Sequence, residues 1–329
     1  MRAVRLLGLG DLAVVDVARP EPGDHDVVVQ VQAAGICGTD RHLFLGEFPS
    51  RPPVTLGHEF AGVVVAVGAK VGIAPGTLVA CDPNIFCGTC AECRRGRVNL
   101  CEANVAIGLA RDGGFAEYAV IPAHRALPLP AGMTAEAGAF AEPLACTLHG
   151  LDVARLIPGE RAMVLGGGVI GLLAVQLARA AGAEVLLVTR NPHKRAVALG
   201  LGAQHTAATL DEAQALWPRG ADAVIECAGV TETMTRAPDL AAPGGRVVIL
   251  GVLPKGAKVA WQPFDLLFRE VSILPAFINP FTQSRALDLI ANGTVQTAPL
   301  ISRRVTLEEA AHAIATPALP ADIKLLVLP

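Results

Sequence analysis

The sequence predicts an α/β protein of two parts, a β-rich portion and a doubly wound parallel sheet, and three observations carry that prediction. At 329 residues the chain exceeds what one hydrophobic core usually supports, so two domains are the default. The first half is rich in Val and punctuated by Gly and Pro. From about Arg155 the rhythm changes to strand, glycine turn, helix, strand, the alternation that builds a parallel sheet with helices on its faces.

The elements follow in order. Val27–Val31, Phe60–Val67 and Leu78–Cys81 read as short strands, set apart by turn chemistry such as Pro22-Gly23 and Pro75-Gly76. In the second portion Arg161–Leu165 is a strand, Val169–Ala181 a helix and Glu184–Thr189 a second strand, with further strands at Ala223–Glu226 and Arg246–Leu250. After Pro275 the alternation stops. Helices at Thr282–Ala291 and Leu307–Thr316 and a strand at Ile323–Val327 complete the chain, and periodicity leaves open whether they return to the first domain.

Composition excludes several function classes. A net charge of −3 offers no basic excess for nucleic acid, and no uninterrupted apolar run reaches membrane-spanning length. Met1-Arg2-Ala3-Val4 leads into a strand-like stretch and not into a secretory signal. The expectation is a cytoplasmic chain with neither nucleic acid nor membrane as partner. In a reducing compartment its eight cysteines serve as metal ligands and form no disulfides.

Four of those cysteines, Cys87, Cys90, Cys93 and Cys101, have the spacing of a tetrahedral zinc site. With four thiolates present no coordination position stays open, so the site is structural. Gly166-Gly167-Gly168-Val169-Ile170-Gly171 matches the G-x-G-x-x-G pattern, follows a predicted strand and opens a predicted helix, which points to a bound dinucleotide. Gly166 allows the tight turn, Gly168 lets the pyrophosphate approach the backbone, and Gly171 permits close helix–strand packing. The acid that would hold a ribose 2′-hydroxyl belongs at the end of the second strand, where the chain reads Thr189-Arg190-Asn191. Arg190, with Lys194 or Arg195, suits a 2′-phosphate, which favours NADP over NAD.

A second constellation combines Cys37 in Gly35-Ile36-Cys37-Gly38-Thr39-Asp40 with Gly57-His58-Glu59. A catalytic zinc needs about three protein donors and one open position, and Cys37, His58 and Glu59 supply three, with Glu142 as a fourth candidate. Each residue alone has a plainer explanation, as a small core residue, a turn histidine or a salt-bridged acid.

Read together, and in this order, these motifs and Glu142-Pro143-Leu144-Ala145 make the chain resemble the zinc-dependent medium-chain alcohol and polyol dehydrogenases along essentially its whole length. The resemblance implies a GroES-like catalytic domain from residues 1–150 and 276–329, and a Rossmann dinucleotide-binding domain from 151–275. It implies two zinc ions per chain, NADP or NAD, and a homodimer or homotetramer. Where alcohol dehydrogenases carry a second cysteine ligand this chain has Glu142, as in the sorbitol and arabinitol branch, so Glu59 and Glu142 are alternative direct ligands. Thr39 matches the hydroxyl that takes the substrate proton, and His42 the outer base that passes it on. Thr39 and Asp40 also read as a helix cap. Thr147, Cys227, Leu250, Gly251, Val252, Phe277 and Lys324 match cofactor-lining positions, Lys324 reaching the pyrophosphate.

Phe277-Ile278-Asn279-Pro280-Phe281 is most similar to the sorbitol and arabinitol enzymes, which favours a polyol or sugar alcohol, with Leu43, Phe44, Phe48 and Phe115 as an apolar wall of the pocket. A simple alcohol or threonine dehydrogenase, and a catalytically silent binding protein on the same fold, are the alternatives.

Overall fold

A computed structural model describes residues 1–329. The chain divides into two compact units, Met1–Glu142 with Gln283–Ala291 and Ile301–Pro329, and Pro143–Thr282 with Asn292–Leu300. The division falls at Glu142/Pro143, ahead of the expected 150/151. The segment Asn292–Leu300 goes with the second unit, because Gln296 exchanges hydrogen bonds with Gln176 there, at 2.7 and 3.2 Å.

The first unit is built on the strand Asp26–Gly35. It pairs antiparallel with Glu59–Val67 along its length, and elsewhere with Tyr118–Pro122 and Lys324–Val327. Leu78–Cys81 and Ala126–Pro128 extend the sheet past Glu59–Val67, and Ile301–Val305 extends it past Lys324–Val327. The C-terminal strand therefore returns to the first unit. Asp26–Gly35 alternates Val and Gln before its Ala-Ala-Gly end, and Val27, Val29 and Val31 enter a core with Leu6, Phe60, Phe115 and Ile121. A smaller sheet, Asp11–Asp16, Arg2–Gly8 and Val54–Thr55, closes over this core.

The second unit is a parallel sheet in the order His205–Ala207, Glu184–Val188, Arg161–Leu165, Ala221–Glu226, Ala241–Ile249, Ser272–Pro275. The central strands are near-continuous apolar runs because helices cover both faces of such a sheet. The order in which successive strands are added reverses between Arg161–Leu165 and Ala221–Glu226, the crevice in which doubly wound sheets bind ligands. The glycine turn sits at that switch point, and the helix Val169–Ala180 leaves from it.

Gly171 shows why the turn tolerates no side chain at its third glycine. A Cβ there would stand 1.9 Å from the Gly166 carbonyl oxygen, so the helix must lie against the strand end without one. Gly171→Ala should lower stability by about 1–3 kcal/mol, the usual cost of forcing a methyl group into packed structure. An unchanged midpoint in denaturant unfolding would show that the turn relaxes freely.

Candidate active site

The site of the first unit begins at the end of Asp26–Gly35. Cys37 is the N-cap of the helix Gly38–Phe44, and its backbone N–H donates to Asp40 Oδ2 at 2.8 Å. That bond fixes where the thiol is presented. The other oxygen, Asp40 Oδ1, lies 3.6 Å from His58 Nδ1, with Asp40 wholly buried and His58 nearly so. The carboxylate therefore faces one ring nitrogen and leaves Nε2 for other work, the way an acid orients a metal-ligating imidazole. Burial opposes a charge on His58, but Asp40 and Cys37 outweigh it and hold the imidazole pKa well above its ordinary value.

Glu59 starts its strand directly after His58. The donor atoms of Cys37, His58 and Glu59 all lie within 4.8 Å of one another. His58 Nδ1 and Asp40 Oδ1, 3.6 Å apart, are buried with no closer hydrogen-bond partner, so the pair is held by charge and Nε2 is the ring atom left for a metal. A soft thiolate, an imidazole and a carboxylate suit zinc, and three protein donors leave a coordination position for substrate.

Glu142, 8% exposed near the start of the helix Ala141–Ala154, falls outside the three-donor grouping, though its charge acts on Lys324. Thr39 Oγ1 is 3.6 Å from Cys37 Sγ. His42 Nδ1 and Glu47 Oε2 are 2.6 Å apart, which leaves Nε2 of His42 as the open ring position. Asp40 caps the helix as the sequence suggests, whereas Thr39 lies inside the helix and Cys37 takes the N-cap position; Asp40 also faces His58, a second duty that the sequence reading missed.

Two further expectations are revised by burial. Lys324 is 2% exposed, and its ammonium donates to Glu59 Oε2 at 2.5 Å and to the Ile36 carbonyl at 3.0 Å, so it is engaged at the three-donor cluster and not extended toward a pyrophosphate. Leu43 and Phe115 are fully buried in the core and cannot form a pocket wall, while Phe44 and Phe48 are only partly buried. An isolated lysine in the apolar stretch Ile323–Leu328 is the sequence signal that could have revealed a buried anionic partner.

Cys87, Cys90, Cys93 and Cys101 form a separate group whose sulfurs all lie within 4.8 Å of one another. Backbone N–H groups point at the sulfurs, Cys87 N to Cys101 Sγ at 3.3 Å, Cys90 N to Cys87 Sγ at 3.3 Å and Cys93 N to Cys90 Sγ at 3.4 Å. Such donors favour thiolates, the form that binds metal.

In the second unit Gly168 is the N-cap of the helix Val169–Ala180, and Val169 and Ile170 are half-buried in its first turn. Thr189 is half-buried and Arg190 exposed, and Arg195 donates to the carbonyls of both, at 2.8 and 3.0 Å. Cys227, Leu250 and Gly251 are half-buried, while Val252 and Phe277 are exposed. Thr147 is wholly buried, and its hydroxyl donates to the Pro143 carbonyl at 2.7 Å. Sequence reading missed Glu226. Its buried carboxylate accepts from Ala228 N, Gly229 N and Thr233 Oγ1 at 3.0, 3.0 and 2.7 Å, shaping the loop that contains Cys227. Burial raises its pKa above the ordinary range, against the pull of those donors.

A thiol–imidazole–carboxylate set, half-buried at Cys37 and buried at His58 and Glu59, in a β-rich unit, together with a glycine turn at the switch point of a parallel sheet, defines a metal-dependent dinucleotide oxidoreductase. Residues 23–131 match the alcohol dehydrogenase GroES-like domain and residues 169–292 the zinc-binding dehydrogenase domain. D-arabinitol dehydrogenase 1 of Uromyces fabae is 32% identical over 93% of this chain and 91% of its own length. Galactitol-1-phosphate dehydrogenase of Escherichia coli is similar in structure, with a TM-score of 0.91, 31% identity and 100% of each chain covered. So is a protein of Sinorhizobium meliloti 1021 described as a zinc-binding dehydrogenase and bound to NADP, with a TM-score of 0.97, 53% identity and coverage of 100% of this chain and 99% of that one. The chain belongs to the zinc-binding, GroES-like alcohol and polyol dehydrogenase family.

The four-cysteine group makes an ordered chemical prediction. Backbone donors from Thr89 and Cys90 lower the Cys87 pKa to about 6, whereas burial and the neighbouring sulfurs push Cys93 up to about 12. A lowered thiol pKa means thiolate at neutral pH and loss of thiolate as pH falls through that value. In metal-stripped protein at pH 7 an alkylating reagent should therefore label Cys87 before Cys93, and labelling of Cys87 should slow below about pH 6. Mass mapping that found Cys93 labelled first would contradict this ordering.

Proposed function

We propose that the protein oxidises a secondary hydroxyl of a polyol or sugar alcohol and passes the hydride to NADP in preference to NAD. The observation that carries the reading is the cluster of half-buried Cys37 with buried His58 and Glu59. Glu59 is taken as the direct donor and Glu142 as the acid that holds a water or substrate hydroxyl beside it. Zinc bound there would supply a Lewis acid that stabilises negative charge on the substrate oxygen. Cys87, Cys90, Cys93 and Cys101 hold a second, structural zinc, giving two per chain.

The chain's own residues handle the proton. Thr39, next to the Cys37 thiol, accepts it from the substrate hydroxyl as it gives up its own hydroxyl proton, and His42 relays that proton outward. Glu47 at Nδ1 orients the His42 ring so that Nε2 is the accepting atom. Thr147 acts through its packing, since its hydroxyl is spent within its own helix.

The cofactor preference is supported by the basic corner Thr189-Arg190-Asn191, which lacks an acid, and by the relative bound to NADP. The substrate class is supported by the relatives named for arabinitol and galactitol 1-phosphate. The reading extends to a cytoplasmic homodimer or homotetramer; no helix is long and apolar enough to cross a membrane. Assembly is supported by the open sheet edge Ser272–Pro275 beside a helix that exposes Phe264, Leu267 and Phe268.

Two measurements test the reading. Cys37→Ala should lower the zinc content from two ions per chain to one and abolish turnover on a panel of pentitols and hexitols, while dinucleotide binding persists. Turnover retained after the substitution would sink the catalytic assignment. Arg190→Asp should move the ratio of kcat/KM for NADP over NAD toward NAD by at least about tenfold, the scale of one charge-assisted hydrogen bond. An unchanged ratio would place cofactor choice in other residues.

A further inference from the structure

Lys324 opens the strand Lys324–Val327, every residue of which is buried. A lysine there is tolerated only if its charge finds a fixed partner, because an ammonium taken out of water without one is very costly. It finds two. Its Nζ lies 2.5 Å from Glu59 Oε2 and 3.0 Å from the Ile36 carbonyl oxygen, with the Lys324 side chain 2% and the Glu59 side chain 1% exposed. Gly35 leaves room for the pair: a Cβ on it would stand 2.2 Å from Glu59 Oε2 and 3.3 Å from Lys324 Cδ. The consecutive residues Gly35, Ile36 and Cys37 thus accommodate the pair, accept from the ammonium and supply the thiol.

Counting charge shows what this cation does. Cys37 as thiolate and Glu59 as carboxylate give the three-donor set two negative charges, enough to neutralise a dication completely. Asp40 and Glu142 lie close by and make the surroundings more negative still. Left so, the site would bind metal tightly and have little positive charge to oppose the negative charge that develops on a substrate oxygen. Lys324 returns one positive charge to the site, anchored by a carboxylate and a backbone carbonyl.

We propose that Lys324 is a positioning residue of the metal centre that acts through Glu59, its positive charge favouring substrate deprotonation at the expense of metal affinity. This rests on the reading of Cys37, His58 and Glu59 as metal donors. The two roles predict opposite signs. If Lys324 only braced the fold, its loss would loosen Glu59 and weaken metal binding. As a counter-charge, its loss strengthens metal binding while turnover falls.

The test uses the full chain, stripped of metal and titrated with zinc alone against a chelating competitor. The same titration of Cys37→Ala identifies which zinc equivalent belongs to the cluster. Lys324→Gln keeps a donor for Glu59 and Ile36 but removes the charge, Lys324→Met removes both, and Lys324→Arg keeps the charge. Lys324→Gln and Lys324→Met should bind the cluster zinc at least about tenfold tighter, as expected from deleting a unit charge a few ångströms from a dication, with kcat lowered at least about tenfold. Lys324→Arg should stay within about threefold of the parent in both, the margin of an ordinary conservative change. Unchanged or weaker zinc binding in Lys324→Gln overturns the proposal, as does a Lys324→Arg protein that behaves like Lys324→Gln. Should Lys324→Met fail to fold, Lys324→Gln decides the question. If Cys37→Ala binds as much zinc as the parent, the donor assignment itself is at fault, and that outcome is distinct from failure of the Lys324 role.

Discussion

The hydrogen-bond ladder on the strand Asp26–Gly35 is the constraint on which the metal cluster depends. Its last residue, Gly35, is in register with Glu59 and with Leu326. Two residues beyond lies Cys37, and one residue before Glu59 lies His58. A single strand end therefore brings together segments of the chain that are far apart in sequence, and it does so through backbone bonds before any side chain contributes. Successive side chains of a strand point to opposite faces, so a slip of one residue in either pairing would turn Glu59 or Lys324 away from the cluster.

What the ladder assembles is a costly collection of charge. Asp40, His58, Glu59, Glu142 and Lys324 are each at most 8% exposed. Such a group persists because the signs are interleaved: Asp40 faces His58 and the N–H of Cys37, and Lys324 faces Glu59. Removing one member of a buried pair typically costs about 3–5 kcal/mol, because the other is left uncompensated. Replacing both by apolar residues is often harmless to a fold. The retention of charge at this depth is therefore better explained by chemistry than by stability. In the second unit Glu226 solves the same problem differently, its carboxylate satisfied by two backbone N–H groups and a hydroxyl.

Legibility from sequence followed the range of the interactions. Arg161–Leu165 and the helix after it were readable to within a residue, because a buried apolar run, a glycine turn and helical periodicity are all local signals. The two cysteine-containing clusters were readable because metal chemistry restricts residue type and spacing. The strand Asp11–Asp16 and the helices Pro192–Gly200, Leu210–Leu216 and Thr231–Leu240 carry weaker local patterns and are not legible, whereas the strand-like start at Arg2 is. Lys324 was misread for a physical reason. Its place as a lone charge in the apolar stretch Ile323–Leu328 signals burial, but nothing near it in the chain names Glu59 as the partner, and a lysine is ordinarily a surface residue. Leu43 and Phe115 were misplaced likewise, since an apolar side chain reads the same in a core as in a pocket wall.

The distance along the chain between Glu59 and Lys324, 265 residues, also sets an order of events in synthesis. When the ribosome has made Cys37, His58 and Glu59, the end of Asp26–Gly35 still lacks the second of its two partner strands, Lys324–Val327, and the acid lacks its cation. The whole of the parallel-sheet unit emerges before either arrives. Domains tend to fold as they appear, so the second unit can reach its native state while the first still waits on its last strand. The metal centre is then among the last features to be completed, and a nascent or truncated chain that presents its thiol and imidazole early does so without the lysine that moderates them.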